Sequence, residues 1–209
     1  MAQLKQERAE QTRRTLLLAA AEVFDESGYA GASITRILKR AGVTAGALYF
    51  HFGSKEGLAK AVMVEQGEHL ELPGGPDGLQ RLVYITLYLA RQLQVDPVLR
   101  GGVRLAVEQG EFGLQDDEAY QGWIQVFDEQ LLAARSHGEL AHDALVDEVS
   151  WLLVGSFTGM QLFSQITTHR ADLPARIRML WRYLLPSVAS PQIKRSIVID
   201  DAPSAEQSA

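Results

Sequence analysis

The side chains between Thr44 and Lys55 have the types and spacing needed to contact a large anion. A predicted helix opens with three very small residues, Ala45-Gly46-Ala47, and small residues there let a backbone approach another surface closely. Thr44 can accept hydrogen bonds from the free N–H groups at that helix start. Lys55 lies in the first turn of the next predicted helix, where it opposes the helix dipole, so we expect it to bind an external anion rather than an internal partner. DNA phosphate is the obvious candidate.

Two short helices must position these side chains. The first carries Ile34, Ile37 and Ala41 on one face, at the 3.6-residue spacing of an α-helix. Gly42 ends it, because the residue just past a helix often needs a positive φ. The second runs from about Ala45 to His51. A helix-turn-helix places the start of its second helix in the DNA major groove, so this stretch predicts a DNA-binding motif.

The rest of the chain also has helical patterns. Thr15–Gly28 is amphipathic, Ser54 can cap a helix after the motif, and Pro73–Pro76 marks a break. No segment alternates with period two, so we predict an all-α fold with an N-terminal helix-turn-helix head (1–60), a larger ligand-binding and dimerisation body (61–188) and a disordered tail (189–209). Further helices are predicted near Leu79–Gln94, Pro97–Gln109, Glu118–Ser136, Leu145–Thr168 and Leu173–Leu185, with Pro186 closing the last. Gly101-Gly102, inside one of them, is predicted to be a packing or bending point.

The charge distribution fits a head that binds DNA. The net charge of the 209 residues is −6, but residues 1–60 carry nine Lys/Arg and six Asp/Glu, and the remainder is acidic. The head is therefore +3 and the rest −9, which confines the attraction for phosphate to one end.

Enzymatic, metal and membrane functions find little support. There is no cysteine, which excludes disulfides and thiolate chemistry. The five histidines have no metal-ligand spacing, and no nucleophile elbow, P-loop or dinucleotide-binding glycine pattern occurs. We expect no catalytic residue, metal or cofactor. Met1–Arg14 is polar, unlike a signal peptide, and Trp151–Ile166 is too short and polar for a membrane span. A cytoplasmic protein is predicted.

The region from Thr12 to about Met63 resembles the DNA-binding domain of the tetracycline-repressor (TetR) family of bacterial transcription regulators. The matching residues are Phe24, Gly28, Tyr29, Ser33, Ile37, Ala41, Gly42, Val43, Gly46, Leu48, Tyr49, Phe52, Lys55 and Leu58. The resemblance implies contacts with double-stranded operator DNA from Thr35, Arg36, Thr44, Ala45, Gly46, Tyr49, His51 and Lys55.

A narrower resemblance, to the γ-butyrolactone receptors, covers nearly the whole chain. It is carried by Ala47–Phe52, Pro97–Leu105, Trp123, Gly138–Leu140 and Val154–Gln165. It implies a homodimeric repressor on palindromic operators, joined through its last two long helices, released by a γ-butyrolactone-type signal and controlling antibiotic or secondary-metabolite genes. Gly155 and Gly159 would allow close approach of another helix or a ligand. Ile177, Leu180, Trp181 and Leu184 form an apolar stripe on the last of those helices.

Four residues are predicted to bind the effector. Trp123 aligns with a tryptophan that contacts the lactone in similar receptors, and Gln66 matches a pocket glutamine. Thr158 and Gln161 are uncharged polar groups within an apolar helix, which suits a neutral ligand with a carbonyl and hydroxyls. The structural alternatives are a core role for Trp123, a hydrogen bond from Thr158 to its own helix and a solvent-facing Gln161.

The specificity for operator and effector stays open. Close relatives commonly have lysine where this chain has Ala45, which can offer only an apolar contact, for instance to a thymine methyl. Ala45 therefore leaves DNA binding as predicted but does not allow the operator preference to be read from the relatives. The alternative function is a divergent receptor-like repressor that responds to an antibiotic, another effector or none.

Overall fold

The computed structural model describes residues 2–200, with side chains from residue 6 onward. Within that range the regular structure is helical, apart from one isolated antiparallel bridge between Leu140 and Ala189, which confirms the all-α prediction. The helices are α1 (Ala2–Gly31), α2 (Ile34–Ala41), α3 (Ala45–Phe52), α4 (Lys55–Glu65), α5 (Leu79–Val95), α6 (Pro97–Glu108), a 3-10 turn (Gln109–Phe112), α7 (Glu118–Ser136), α8 (Val146–Thr168) and α9 (Leu173–Val188).

Several helix ends differ from the predictions, most of them by one to three residues. α1 begins near the N-terminus rather than at Thr15, because its first residues are good helix formers although the apolar periodicity starts later. α9 passes through Pro186 and ends at Val188. A proline so close to the helix end removes only one N–H from the last turn, and the N–H of Ala189 still donates to the Leu185 carbonyl.

The chain forms two compact units. The first contains the chain up to Leu70 together with Asp96–Ala119, and the second contains Glu71–Val95 together with the chain from Tyr120 onward. The first unit thus extends past residue 60 and includes α6 and the 3-10 turn beside the helix-turn-helix.

In the first unit, α6 packs against both α1 and α4. Gly101 faces α1, where an added Cβ would lie 2.4 Å from the carbonyl oxygen of Ala21. Gly102 faces α4 in the same way, close to Val62 and Gln66. The prediction that these glycines mark a packing point is confirmed, because no larger residue would allow both contacts.

In the second unit, the core is formed by apolar faces of α5, α7, α8 and α9. Trp181 is fully buried, and its indole N–H donates to the Thr86 hydroxyl at 2.7 Å. Ile177 is also fully buried. The stripe predicted on α9 is therefore mainly a core face of this chain rather than a surface for a partner.

Part of the segment predicted to be a disordered tail makes specific contacts. The Ser190 N–H donates to the Glu139 carbonyl at 2.7 Å. The side chain of Gln80 bonds both the N–H and the carbonyl of Val198, at 2.8 and 2.9 Å. Residues 189–200 are thus tied to the second unit, and residues 201–209 lie outside the described part of the chain.

Candidate functional site

Local capping fixes the helix-turn-helix. The Ser33 hydroxyl accepts a hydrogen bond from the Arg36 N–H at 3.2 Å, which caps α2. Gly42 ends α2 in the left-handed region, at φ 66°, as predicted. Thr44 is the residue before α3, but its side chain makes no capping hydrogen bond. The predicted cap is wrong, and the exposed hydroxyl is left to solvent or to an external partner.

One face of α3 points outward. Leu48, on the opposite face, is fully buried, while Ala45, Gly46, Tyr49 and Phe50 are exposed. Their spacing of i, i+1, i+4 and i+5 makes a single surface on an α-helix. We call these four residues the outward face of α3. Apart from the Tyr49 hydroxyl, its side chains offer no hydrogen-bonding group.

Sequence reasoning missed Phe50 as a candidate contact. Its side chain is 80% exposed, far more than is usual for a large apolar residue. The helical spacing indicates this contact, since Phe50 lies one turn after Gly46 on the same face. An aromatic ring in this position can make apolar contacts with thymine methyl groups.

Thr35 and Arg36, the predicted contacts on α2, are both exposed. Arg36 forms an ion pair with Glu26 on α1, and Arg40 donates to the same carboxylate at 2.7 Å. The hydrogen bond from Arg40 is the main reason why the pKa of Glu26 lies below its usual value. These two guanidinium groups are therefore shared between an internal carboxylate and any external anion.

His51 and Lys55 are half-buried at the edge of this surface. Lys55 has an internal partner, contrary to the expectation from the sequence. Its ammonium donates to the carbonyl oxygen of Tyr29 at 2.6 Å and lies 4.2 Å from the centre of the Tyr29 ring. Burial lowers the pKa of Lys55. An ammonium carries three N–H donors, so the bond to the Tyr29 carbonyl does not use all of its capacity to bind a phosphate.

Among the predicted effector-binding residues, Gln66 belongs to the first unit. It follows α4 directly and its side chain is 3% exposed. Its amide nitrogen donates to the Met63 carbonyl at 2.9 Å, whereas its side-chain oxygen is buried and has no hydrogen-bond partner among the described residues. A buried acceptor without a partner is costly, so this oxygen suits a donor from a bound molecule.

Trp123, Thr158 and Gln161 belong to the second unit, Trp123 on α7 and the other two on α8. Trp123 and Thr158 are half-buried. Among the described residues the Thr158 hydroxyl makes no hydrogen bond, so the alternative of a side-chain bond to its own helix has no support. Gln161 is 2% exposed, and its side-chain oxygen accepts a hydrogen bond from Arg170 at 3.4 Å. The alternative that Gln161 faces solvent is therefore wrong.

A large apolar surface lies on α8 and α9. Its members are 40–75% exposed: Trp151, Leu152, Leu162, Phe163, Ile166, Met179 and Tyr183. Gly155 and Gly159 lie on the exposed side of α8, and a Cβ added to either would meet nothing within 4 Å. We call this surface the α8–α9 apolar face. Clusters of exposed large apolar side chains usually mark an interaction site.

Two further kinds of site are absent from the described part of the chain. None of its helices combines the length and apolar character required to cross a membrane. Its acidic and histidine side chains form no group of three or more that could hold a metal ion.

Two family models match the chain. The model described as bacterial regulatory proteins, tetR family, matches residues 16–62, which include the helix-turn-helix. The model described as the tetracyclin repressor-like C-terminal domain matches residues 77–189.

Individual relatives agree with these matches. The A-factor receptor protein of Streptomyces griseus is 41% identical over 189 residues, which are 90% of this chain and 68% of that protein. The crystal structure of full-length TylP, a TetR regulator from Streptomyces fradiae, has 46% identity and a TM-score of 0.81, covering 98% of this chain and 89% of TylP. The crystal structure of a γ-butyrolactone receptor, an ArpA-like protein, has 31% identity and a TM-score of 0.65, covering 91% of this chain and 94% of that receptor.

Proposed function

This chain belongs to the TetR family of bacterial transcriptional regulators, and from that premise we propose that it is a homodimeric repressor of antibiotic or secondary-metabolite genes, released from palindromic operator DNA by a γ-butyrolactone-type effector. As a member of that family it is a DNA-binding regulator and not an enzyme. Its place of action would be the bacterial cytoplasm, where its operator lies.

The outward face of α3 is the observation that carries the DNA-binding part. Its first two residues, Ala45 and Gly46, are small and exposed, so the backbone can come close to base edges in the major groove. Thr35, Arg36, Thr44, His51 and Lys55 surround that face in the sequence and supply hydroxyl, imidazole and cationic groups for the phosphates. Base readout on this face would depend on apolar contact and shape more than on hydrogen bonds.

The α8–α9 apolar face supports the homodimer. Its aromatic and aliphatic side chains are exposed within the chain, and the two exposed glycines of α8 leave room for a second helix to approach. A second copy of the same face would bury both surfaces in a two-fold arrangement. Two heads held in this way would meet two half-sites about one turn of DNA apart.

Two polar atoms support an effector that is neutral and carries hydroxyl and carbonyl groups. The Gln66 side-chain oxygen is a buried acceptor without a partner in the described residues, and the Thr158 hydroxyl can donate or accept. Trp123 would stack on a small ring. Gln161 would bind the effector only if the effector shared or replaced its hydrogen bond with Arg170. The named relatives favour a lactone, but these groups would also suit an antibiotic or its intermediate.

The test is operator binding with and without effector. The purified protein is footprinted on the promoter next to its own gene, and the protected sequence is then titrated by gel shift with γ-butyrolactones and, separately, with antibiotics. We expect an imperfect palindrome that is released by a lactone. Release by an antibiotic alone would replace the lactone with the alternative effector, and no protected sequence would overturn the operator proposal.

Two variants test the effector site and the homodimer separately. Trp123→Ala removes the aromatic wall of the effector site, so it should bind operator as the wild type does but require more lactone for release. Ile166→Asp places a charge in the α8–α9 apolar face and should give a monomer by light scattering, with operator binding lost. Leu132→Asp, at a 58% exposed residue of α7, is the matched control and should remain a dimer.

A further inference from the structure

Tyr29 joins several elements of the first unit. It lies directly after Gly28, where α1 is interrupted by a residue with φ 68° and ψ −179°. Its carbonyl and its ring both contact the Lys55 ammonium, as described above, and its hydroxyl donates to the Glu56 carboxylate at 2.9 Å. Both partners lie at the start of α4, so the carbonyl and ring of Tyr29 hold the Lys55 ammonium in place.

A second set of contacts, from α6 and the 3-10 turn, holds Tyr29 itself. The Phe112 ring stacks on the Tyr29 ring, with 4.0 Å between the centres and 25° between the planes. The Glu108 carboxylate accepts a hydrogen bond from the Tyr29 N–H at 2.8 Å. Phe112 ends the 3-10 turn and Glu108 ends α6, so the segment that holds Tyr29 is distant in sequence from the helix-turn-helix.

The contact with α6 is tight and requires Gly28. An added Cβ on Gly28 would lie 2.7 Å from atoms of both Arg104 and Glu108. Arg104 donates to Glu108 at 2.7 Å and to the Asp25 carbonyl at 2.7 Å, which ties the end of α1 to α6. The backbone of Tyr29 therefore has little freedom as long as α6 and the 3-10 turn keep their places.

We propose that Phe112 is a positioning residue for DNA binding, which holds the Tyr29 ring and thereby fixes the Lys55 ammonium where it meets a phosphate. This inference rests on the proposed role of Lys55 as a phosphate contact. A lysine side chain loses rotamer freedom when it binds. The Lys55 ammonium is already bound to the carbonyl and ring of Tyr29 in the free protein. Part of the loss of rotamer freedom therefore occurs before DNA binds.

The alternative is that Phe112 only fills space in the first unit. The two roles differ in one respect that can be measured. A positioning residue acts through Lys55, so its removal has no further effect on operator binding once Lys55 is absent. A residue that only stabilises the unit weakens binding equally with or without Lys55.

The experiment is a double-mutant cycle on the full-length protein, with the operator found by footprinting. Operator affinity and its salt dependence are measured for wild type, Phe112→Ala, Lys55→Ala and the double variant, and thermal unfolding checks that each is folded. Phe112→Ala should weaken binding by up to about fivefold per head, the upper end of the range for one ionic contact near a surface, and should reduce the salt slope by up to about one charge per head. In the Lys55→Ala background the same change should have no effect.

Phe112→Tyr and Phe112→Leu complete the design. Tyrosine keeps the stacked ring and should restore wild-type affinity, while leucine keeps the apolar volume and should behave as alanine does, so it also serves if the alanine variant does not fold. Equal losses in both backgrounds, or wild-type binding by Phe112→Leu while Lys55→Ala is weakened, would overturn the positioning role alone. Unchanged affinity and salt slope for Lys55→Ala would overturn both this role and the proposed phosphate contact.

Discussion

Gly102 lies so close to Gln66 that an added Cβ would be 2.5 Å from the Gln66 Cβ and 2.9 Å from the carbonyl oxygen of Val62. The contact brings the backbones of α6 and α4 together beside the predicted effector-binding glutamine. A side chain at position 102 would push against backbone atoms, which cannot move aside as a flexible side chain can.

The first prediction follows from this contact. Gly102→Ala should destabilise the protein by about 1–3 kcal/mol, the usual cost of overpacking a core, and urea unfolding measures the change. Gly110→Ala is the control, because nothing lies within 4 Å of an added Cβ there, and it should differ little from wild type. Equal stability of the two variants would contradict the close packing.

The second prediction concerns base readout by Phe50. If its exposed ring touches a thymine methyl, replacing that thymine by deoxyuridine should weaken wild-type binding by about 0.8 kcal/mol, the value of one buried methyl-sized group. Phe50→Ala should bind both operators equally. Fluorescence anisotropy on operators substituted one thymine at a time provides the measurement. Leu132→Ala, which removes another exposed apolar side chain, should keep the wild-type preference.

The third prediction concerns the carboxylate that holds two arginines. Glu26→Gln removes the charge that pairs with Arg36 and Arg40. The Arg36 guanidinium then becomes available to phosphate, while Arg40 keeps its ion pair with Glu22 at 3.5 Å. We expect tighter binding to operator and to unrelated DNA, with a steeper salt dependence. Glu129→Gln, at an exposed acid of α7, changes the net charge equally. If it tightens binding as much, the effect is one of total charge and not of these pairs.

The fourth prediction uses the pKa of Tyr29. Burial, followed by the hydrogen bond to Glu56, raises this pKa to about 12. A group with a raised pKa stabilises the fold at pH values below its unfolded pKa, about 10 for tyrosine, and that stability is lost as the pH rises toward 12. Tyr29→Phe has no proton to lose. Between pH 10 and 12 the wild type should therefore lose more unfolding free energy than Tyr29→Phe, and parallel curves would show that Tyr29 does not contribute.

Much of the fold was predictable because it depends on local patterns. The bounds of α7 were predicted correctly, and Gly42 and Ser54 end and cap their helices as expected. These features depend on residues a few positions apart. The family could likewise be inferred from the motif around Gly46 and Tyr49.

A few errors are local, such as the Thr44 cap and the start of α1, but the main ones concern contacts between residues far apart in the sequence. The partner of Lys55 is Tyr29, 26 positions earlier, and no local rule predicts that pair. On α9 an apolar stripe was evident, but only the fold shows that Ile177 and Trp181 face the core while Tyr183 faces outward. Predicted roles of the individual DNA- and effector-binding residues remain predictions for the same reason, since they depend on molecules outside the chain.

The inclusion of Asp96–Ala119 in the first unit bears on how this protein could be altered or exchange parts with relatives. The DNA-binding helices and α6 are separated in sequence by α5, so the chain passes between the two units three times. A graft that moved only the first seventy residues onto another regulator would leave behind Gly101, Gly102, Glu108 and Phe112. Recombination that transfers a new operator preference must therefore keep both segments matched. A hybrid that takes residues 1–70 and 96–119 from the same parent should fold where a hybrid with a single junction after residue 70 does not.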